Sequence, residues 1–380
     1  MRGRADEPVP LFHTFSVEDR IRPDHPLRDV KRRVDRILSS MSSRFAAAYS
    51  TNGRPSVPPE RLLKALLIMT LYSIRSERQL CEAIDVNLLF RWFLDMQPSD
   101  NAFDPTTFTH NRRRLDDHEL TKTFFDAVVA EAFTAGLCSE HFSVDGTLIE
   151  SFASAKSFQP KVTNEDDSND SNGFQPRNAD VDFHGQKRTN ETHASRTDPE
   201  AKLYRKGQGK EAKLAHMGHT LSENRHGLIV TITVTEASGT AERQAALEML
   251  DEVQTKQKRK VQTLGADKGY DDGGFYQDVE ERKIEPHVPL VKEPRDPETV
   301  SDKKQVPGIE ARQRMKTRMG SEGYRLSQKC RKKIEEGFGW LKSIGGLDRS
   351  RVVGRWKLKQ LLEIGAAAYN LLRMVKLKPA

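Results

Sequence analysis

The chain has little cysteine, little tryptophan and no long apolar run. Its three cysteines, Cys81, Cys138 and Cys330, are odd in number and far apart, a pattern that suits neither a disulfide framework nor a structural zinc site. No stretch nears the roughly 20 apolar residues needed to span a bilayer, and Met1 to Glu18 lacks the basic-then-apolar order of an export signal, so a cytoplasmic location is expected and no membrane partner. Phosphate-loop spacing is missing too. Gly207 and Gly209 stand isolated, and no nucleotide is expected as a partner. His216 and His219 resemble a zinc pair, but on an alternating strand they fall on opposite faces.

What the chain has in quantity is charge, unevenly spread. Residues 301–380 hold 20 Lys/Arg against 7 Asp/Glu, a net +13, while the whole chain carries only +7. A basic segment on an acidic body predicts a docking surface for a polyanion, because phosphate neutralisation with counterion release supplies most sequence-independent affinity for DNA. Within it, Arg351, Arg355, Lys357 and Lys359 are candidate phosphate contacts.

Residues 1 to about 135 read as helical. Pro58-Pro59 opens a strongly apolar helix carrying Leu62, Leu63, Leu66, Leu67, Met69 and Leu71. Ser76 to Gln79 fits a capping box. Asp104-Pro105 starts a helix bearing Thr106, Thr107, Thr109, His110, Asn111, Arg112, Arg113 and Arg114, polar groups able to reach phosphates or base edges. With the two short helices before it, this helix is expected to complete a helix-turn-helix, with Asn111, Arg112, Arg113 and Arg114 as DNA contacts.

From Phe142 the periodicity changes to alternation. A strand or hairpin covers Phe142 to Ile149, a polar and partly disordered insertion spans 156–200, and strands follow at Leu214 to Leu221 and Leu228 to Val234. A helix fits Ala241 to Val253, a strand Val261 to Ala266, a helix Phe275 to Arg282 and a short strand Val288 to Val291. A linker rich in Pro, Lys and Arg is expected from Lys292 to about Arg318, then helices from about Tyr324 to Ile344 and Trp356 to Lys376. The predicted class is α+β: a helical N-terminal domain (1–135), a ribonuclease-H-like mixed-sheet core (136–350) and a C-terminal helix (351–380) packed on it.

Three acidic residues stand out by context. Asp145 interrupts an apolar strand, Asp267 ends another, and Glu335 lies on the long helix after them. A charge inside a strand costs several kcal/mol, on that order, unless it is paired or metal-bound. In the expected strand order the first and fourth strands are neighbours, so the three carboxylates can meet at one sheet edge as hard oxygen ligands for Mg²⁺. On an unbroken helix Arg331 lies about 40° from Glu335 and Lys342 about 20° from it, which puts two cations beside the carboxylate. Asp271 and Asp272 read as a helix cap.

Val144-Asp145-Gly146-Thr147, Ala266-Asp267-Lys268-Gly269-Tyr270 and Arg331-x3-Glu335-x6-Lys342 resemble the three catalytic motifs of bacterial insertion-sequence DDE transposases with a helical N-terminal domain. The resemblance runs from Pro23 through the terminal helix. It departs at Gln328, where the family often has Tyr, and at Glu336, where it often has Arg. The resemblance implies that Asp145, Asp267 and Glu335 are catalytic metal ligands for two Mg²⁺ ions that Mn²⁺ can replace, and that Arg331 and Lys342 contact DNA near the scissile phosphate. It also implies double-stranded DNA as partner, self-association in a synaptic complex, and a nucleoid-associated place in the bacterial cytoplasm.

Overall fold

A computed structural model describes residues 15–50, 52–53, 56–161, 189–205, 211–300 and 302–377. The chain forms two compact units, residues 1–111 and 112–380.

In the first unit, helices α1 (Val17–Arg20), α2 (Leu27–Ser40), α3 (Ser42–Ala48), α4 (Pro59–Leu71), α5 (Glu77–Val86) and α6 (Leu88–Phe93) precede α7 (Thr106–Asp117), which runs on into the second. Pro59 starts α4 where a missing N–H costs nothing, and Leu62, Leu63, Leu66, Leu67 and Ile68 are buried along it. Met69 and Leu71 are only half-buried. Lys64 is buried on the same helix and is held by Asp35 and Asp95, which also bind Lys31 at 2.8 and 2.5 Å. Such a cation is tolerated because both partners are present. Ser76 caps α5 by accepting from Gln79 N.

The second unit is a mixed sheet with helices. Its strands are β1 (His141–Glu150), β2 (Phe158–Pro160), β3 (His193–Ser195), β4 (Lys202–Tyr204), β5 (Lys213–Glu223), β6 (Ile229–Glu236), β7 (Thr263–Gly265) and β8 (Glu285–His287). In the main sheet β5 pairs antiparallel with β1 and β6, β7 lies parallel to β1, and β8 lies parallel to β7. This order, three antiparallel strands followed by parallel ones, is that of a ribonuclease-H-like core. β4 extends the β5 edge beside β6. The helices are α8 (Leu120–Thr134), α9 (Ala241–Asp251), α10 (Gly273–Glu281), α11 (Val306–Arg318), α12 (Glu322–Arg331), α13 (Lys333–Ser343) and α14 (Arg355–Lys376). α8, inside the 1–135 stretch read as N-terminal, packs here against α14.

Several expectations need correction. Of the strand-or-hairpin alternatives for Phe142 to Ile149 the strand holds, since β1 is unbroken through Gly146-Thr147. The flanks of the 156–200 insertion are ordered, since β2 pairs with β3; its centre lies outside the described residues. The last strand is Glu285–His287 rather than Val288 to Val291. Pro286 lacks a donor, which an edge strand such as β8 tolerates. Half of the expected linker is helix α11. Only Ala311 and Met315 are buried on it, too thin a stripe to read among its cations. The single long helix is two, α12 and α13: Lys332 has the tighter dihedrals φ −55°, ψ −21°, and Glu335 N bonds Lys332 O at 3.2 Å.

Candidate active site

The sheet register places the two aspartates together. β1 and β7 pair in parallel as His141↔Thr263, Phe142↔Leu264 and Ser143↔Gly265. Asp145 stands on β1 two residues past the Ser143↔Gly265 pair, and Asp267 stands two residues past Gly265, where β7 has ended and a tight turn begins. Asp145 is half-buried and its Oδ1 accepts from Gly146 N at 2.8 Å. Asp267, with extended φ −83° and ψ 177°, accepts from Gly269 N at 2.8 Å.

Glu335 arrives from the first turn of α13 and is exposed. That helix runs beside β1. At one end Lys333 Nζ donates to the Arg225 carbonyl at 2.5 Å, and at the other Lys342 Nζ donates to the Leu148 carbonyl at 3.2 Å. Among the described residues, no three His, Cys, Asp or Glu side chains converge closely enough to hold an ion as placed. The backbone thus brings the two aspartates together, while the Glu335 side chain points to solvent.

The neighbouring doublet residue, Glu336, is engaged elsewhere, accepting from Arg373 at 3.0 Å. Arg331, one residue before the helix break, is half-buried, and its Nε has no hydrogen-bond partner. Arg331 ends α12 and Glu335 lies in the first turn of α13, with the tighter turn at Lys332 between them.

Residues not singled out as ligands complete the surroundings. Gln328 donates to the carbonyls of Ala266 and His287 at 3.3 and 2.6 Å, clamping the ends of β7 and β8 beside Asp267. Tyr270 is fully buried and its hydroxyl has no hydrogen-bond partner. Burial, and then the charges of Glu242, Asp145 and Asp267, hold its phenol well above the ordinary range. Glu242 itself sits in the first turn of α9, where an acidic residue looks like an ordinary helix start. Nothing in its sequence context could have singled it out.

Asp272 caps α10 through Phe275 N at 3.0 Å, as expected. Asp271 instead takes both arms of Arg312, at 3.0 and 2.7 Å, and is a structural anchor. The two strand histidines are structural as well. His216 bonds Asp198 at 2.9 Å, and His219, held down to about 4 by burial, bonds Thr235 at 2.8 Å. Burial likewise pushes the Cys81 thiol up to about 11 and Cys138 to about 12, which keeps both protonated and unreactive.

The proposed DNA contacts divide. Asn111 is buried, donating to the Thr107 carbonyl at 2.9 Å and accepting from the Tyr49 hydroxyl at 3.3 Å, so its amide serves the fold and not a base edge. Thr106, Thr109 and His110 form the exposed stripe of α7 instead. The residues between Phe93 and Thr106 are too many for the three- or four-residue turn of a helix-turn-helix, which corrects that expectation. Arg112 is half-buried, with its pKa lowered by desolvation. Arg113 is exposed, pairs with Asp117 at 3.1 Å and lies 5.8 Å from the Trp356 ring centre. Arg114 is half-buried.

On the C-terminal side, Arg355 is committed to Glu200, through its backbone N and its Nε, both at 2.8 Å, so it is no free phosphate contact. Lys359 lies 3.7 Å from buried Glu363, and Lys357 lies 5.1 Å from the Trp356 ring centre. Arg351 is half-buried.

Family models match both units: "Transposase domain (DUF772)" over residues 15–114 and "Transposase DDE domain" over residues 138–371. The chain belongs to the DDE transposase family. The DDE domain spans the whole sheet and all three acidic motifs, so this transposase carries them inside the matched region. No curated protein matches the chain. Among solved structures it is similar to the Mos1 transposase paired-end complex with left transposon end, at 11% identity and TM-score 0.21, covering 81% of this chain and 86% of that one. A pre-cleavage Mos1 transpososome matches at 12% and 0.21, covering 80% and 83%, and the Mos1 mariner paired-end complex with Mn at 12% and 0.20, covering 82% and 86%. Among the described residues of the DDE transposase, no helix is long and apolar enough to cross a membrane.

Proposed function

We propose that this transposase binds the ends of an insertion sequence, cuts DNA phosphodiester bonds there and joins the resulting 3′-hydroxyl to target DNA. The reading is supported above all by one observation: Asp145 and Asp267 each follow by two residues the last pair, Ser143↔Gly265, of the adjacent parallel strands β1 and β7. Asp145, Asp267 and Glu335 would hold two divalent cations, Mg²⁺ or Mn²⁺. Their donors fit, being hard carboxylate oxygens, and the buried, unpartnered Tyr270 hydroxyl is close enough to feel the charge of both aspartates. Bound there, the ions would activate the attacking oxygen and stabilise the leaving one.

The protein's own groups do the rest. Gln328 keeps the strand end that carries Asp267 fixed, so the ligand needs no reorganisation. Arg331 and Lys342 would contact phosphates beside the cut, and Arg351, Lys357 and Lys359 would add sequence-independent affinity. End recognition falls to the N-terminal unit through Thr109 and His110, with Arg112, Arg113 and Arg114 as accessory contacts. Two copies would hold two ends together.

The test is direct. The protein is incubated with Mg²⁺ and DNA carrying the element's own ends, and products are mapped at nucleotide resolution. Nicks at the 3′ ends of the element, followed by joined products, are expected; cutting without joining would reduce the activity to that of a nuclease.

A further inference from the structure

The glycine that follows Asp145 leaves room for a carboxylate from the first turn of α9. A Cβ at Gly146 would sit 2.7 Å from Glu242 Oε1 and 2.9 Å from its Cγ. A Cβ at Gly269 would sit 2.9 Å from Asp267 Oδ1 and 3.8 Å from Glu242 Oε2. The Glu242 side chain therefore passes through the space that Gly146 leaves empty, and its carboxylate borders the same point as that of Asp267. The side-chain hydroxyl of Tyr270, fully buried and without a hydrogen-bond partner, feels the charges of both.

We propose that Glu242 is a fourth carboxylate of the metal site, sharing with Asp267 one of the divalent cations; this rests on the metal-dependent reading above. Two observations carry it beyond a mere collection of acids. A buried phenol without a partner feels the charge of all three carboxylates, and a side chain on the glycine that follows Asp145 would displace Glu242. The glycine after Asp145 is thus a spatial requirement of Glu242.

Neutralising a metal-binding carboxylate relieves repulsion in the metal-free protein and weakens the ion. Neutralising an ordinary acid at a helix start removes a favourable dipole interaction and leaves the ion alone. The two roles therefore move opposite observables.

The experiment titrates the full-length protein with Mn²⁺, followed by electron paramagnetic resonance, and records melting temperatures with and without the ion. Wild type should bind two ions. Glu242→Gln should weaken one of them at least tenfold, melt higher than wild type without metal, and gain less from Mn²⁺. Gly146→Ala keeps every charge, and only the flexible Glu242 side chain must yield, so it should fold and show the same weakening. If wild type binds no Mn²⁺, the metal-dependent reading itself fails. If wild type binds two ions and both variants bind them equally well, the metal-dependent reading stands and the role of Glu242 is overturned. A lower metal-free melting temperature for Glu242→Gln with unchanged binding also overturns it, making the residue a helix-start acid.

Discussion

Arg373 on α14 donates to Glu336 on α13 at 3.0 Å. Both adjacent glutamates are exposed, and the pair gives Glu336 a structural task. An exposed ion pair is worth at most about 1 kcal/mol. Glu336→Gln should therefore keep Mg²⁺-dependent cleavage within about fivefold of wild type. Glu335→Gln should lose roughly a thousandfold or more, as should Asp145→Asn and Asp267→Asn, since a metal contributes several kcal/mol to the barrier. Cleavage rates under single-turnover conditions decide it, and a more severe loss from Glu336→Gln would shift the ligand assignment by one residue.

Gln328 supports a second prediction. Its amide donates to two backbone carbonyls, so Gln328→Ala removes a donor from the Ala266 carbonyl and leaves the His287 carbonyl with Ala266 N alone, at a cost of about 1–2 kcal/mol. The same change should loosen the segment carrying Asp267. Hydrogen exchange should rise at Ala266 to Tyr270 while remaining unchanged in β5 and β6. Exchange that rises evenly through the sheet would make Gln328 a general stability contact.

These two residues also show where the sequence was informative. Strand order was legible because β1, β5 and β6 alternate or run apolar, and because Asp145 and Asp267 break that pattern at equivalent places. Contacts between distant elements were not legible. Gln328 reads as a departure from a motif until its two carbonyl partners are seen, and Glu242 reads as a helix start until Gly146 is seen to make room for it. Asn111 misled for the opposite reason: a polar residue among arginines looks solvent-facing, yet a helix of this phase turns it inward between Phe108 and Leu115, both buried. Lys332 hides the helix break because nothing in a run of cations marks a change from α to tighter turns.

Glu363 makes stability depend on pH. It is buried between α8 and α14, accepts from the Thr121 hydroxyl at 2.6 Å, and lies near Lys359, Lys122 and Asp126. Burial pushes its carboxyl up from 4.5 to about 7. The folded protein thus holds a proton that the unfolded chain has lost, so this contribution is full below pH 4.5 and disappears as pH rises through about 7. Glu363→Gln should match wild type near pH 4.5 and be more stable at pH 8 by on the order of 2–3 kcal/mol. Melting curves across that range test it; a stability difference that does not vary with pH would mean Glu363 is ionised in the folded protein.

Affinity and sequence preference for DNA should separate between the two ends of the chain. Phosphate contacts set affinity and its salt dependence, whereas base-edge contacts set preference. Lys357→Gln with Lys359→Gln should weaken binding to element ends and to random DNA alike and should flatten the salt dependence, with the slope falling by roughly two because two phosphates are no longer neutralised. Arg355→Gln should act differently, because that side chain is bound to Glu200: its main effect should be a lower melting temperature. Thr109→Ala with His110→Ala, on the exposed face of α7, should lower preference for the element's ends by about 1–3 kcal/mol for each base edge no longer read, with little change in the salt slope. Asn111→Ala, by contrast, removes a buried amide that bonds Thr107 and Tyr49, so it should destabilise the N-terminal unit without a selective loss of end preference. Titrations of both DNAs at several salt concentrations measure all of these. Equal losses on end and random DNA for the Thr109 and His110 variant would remove α7 from sequence recognition.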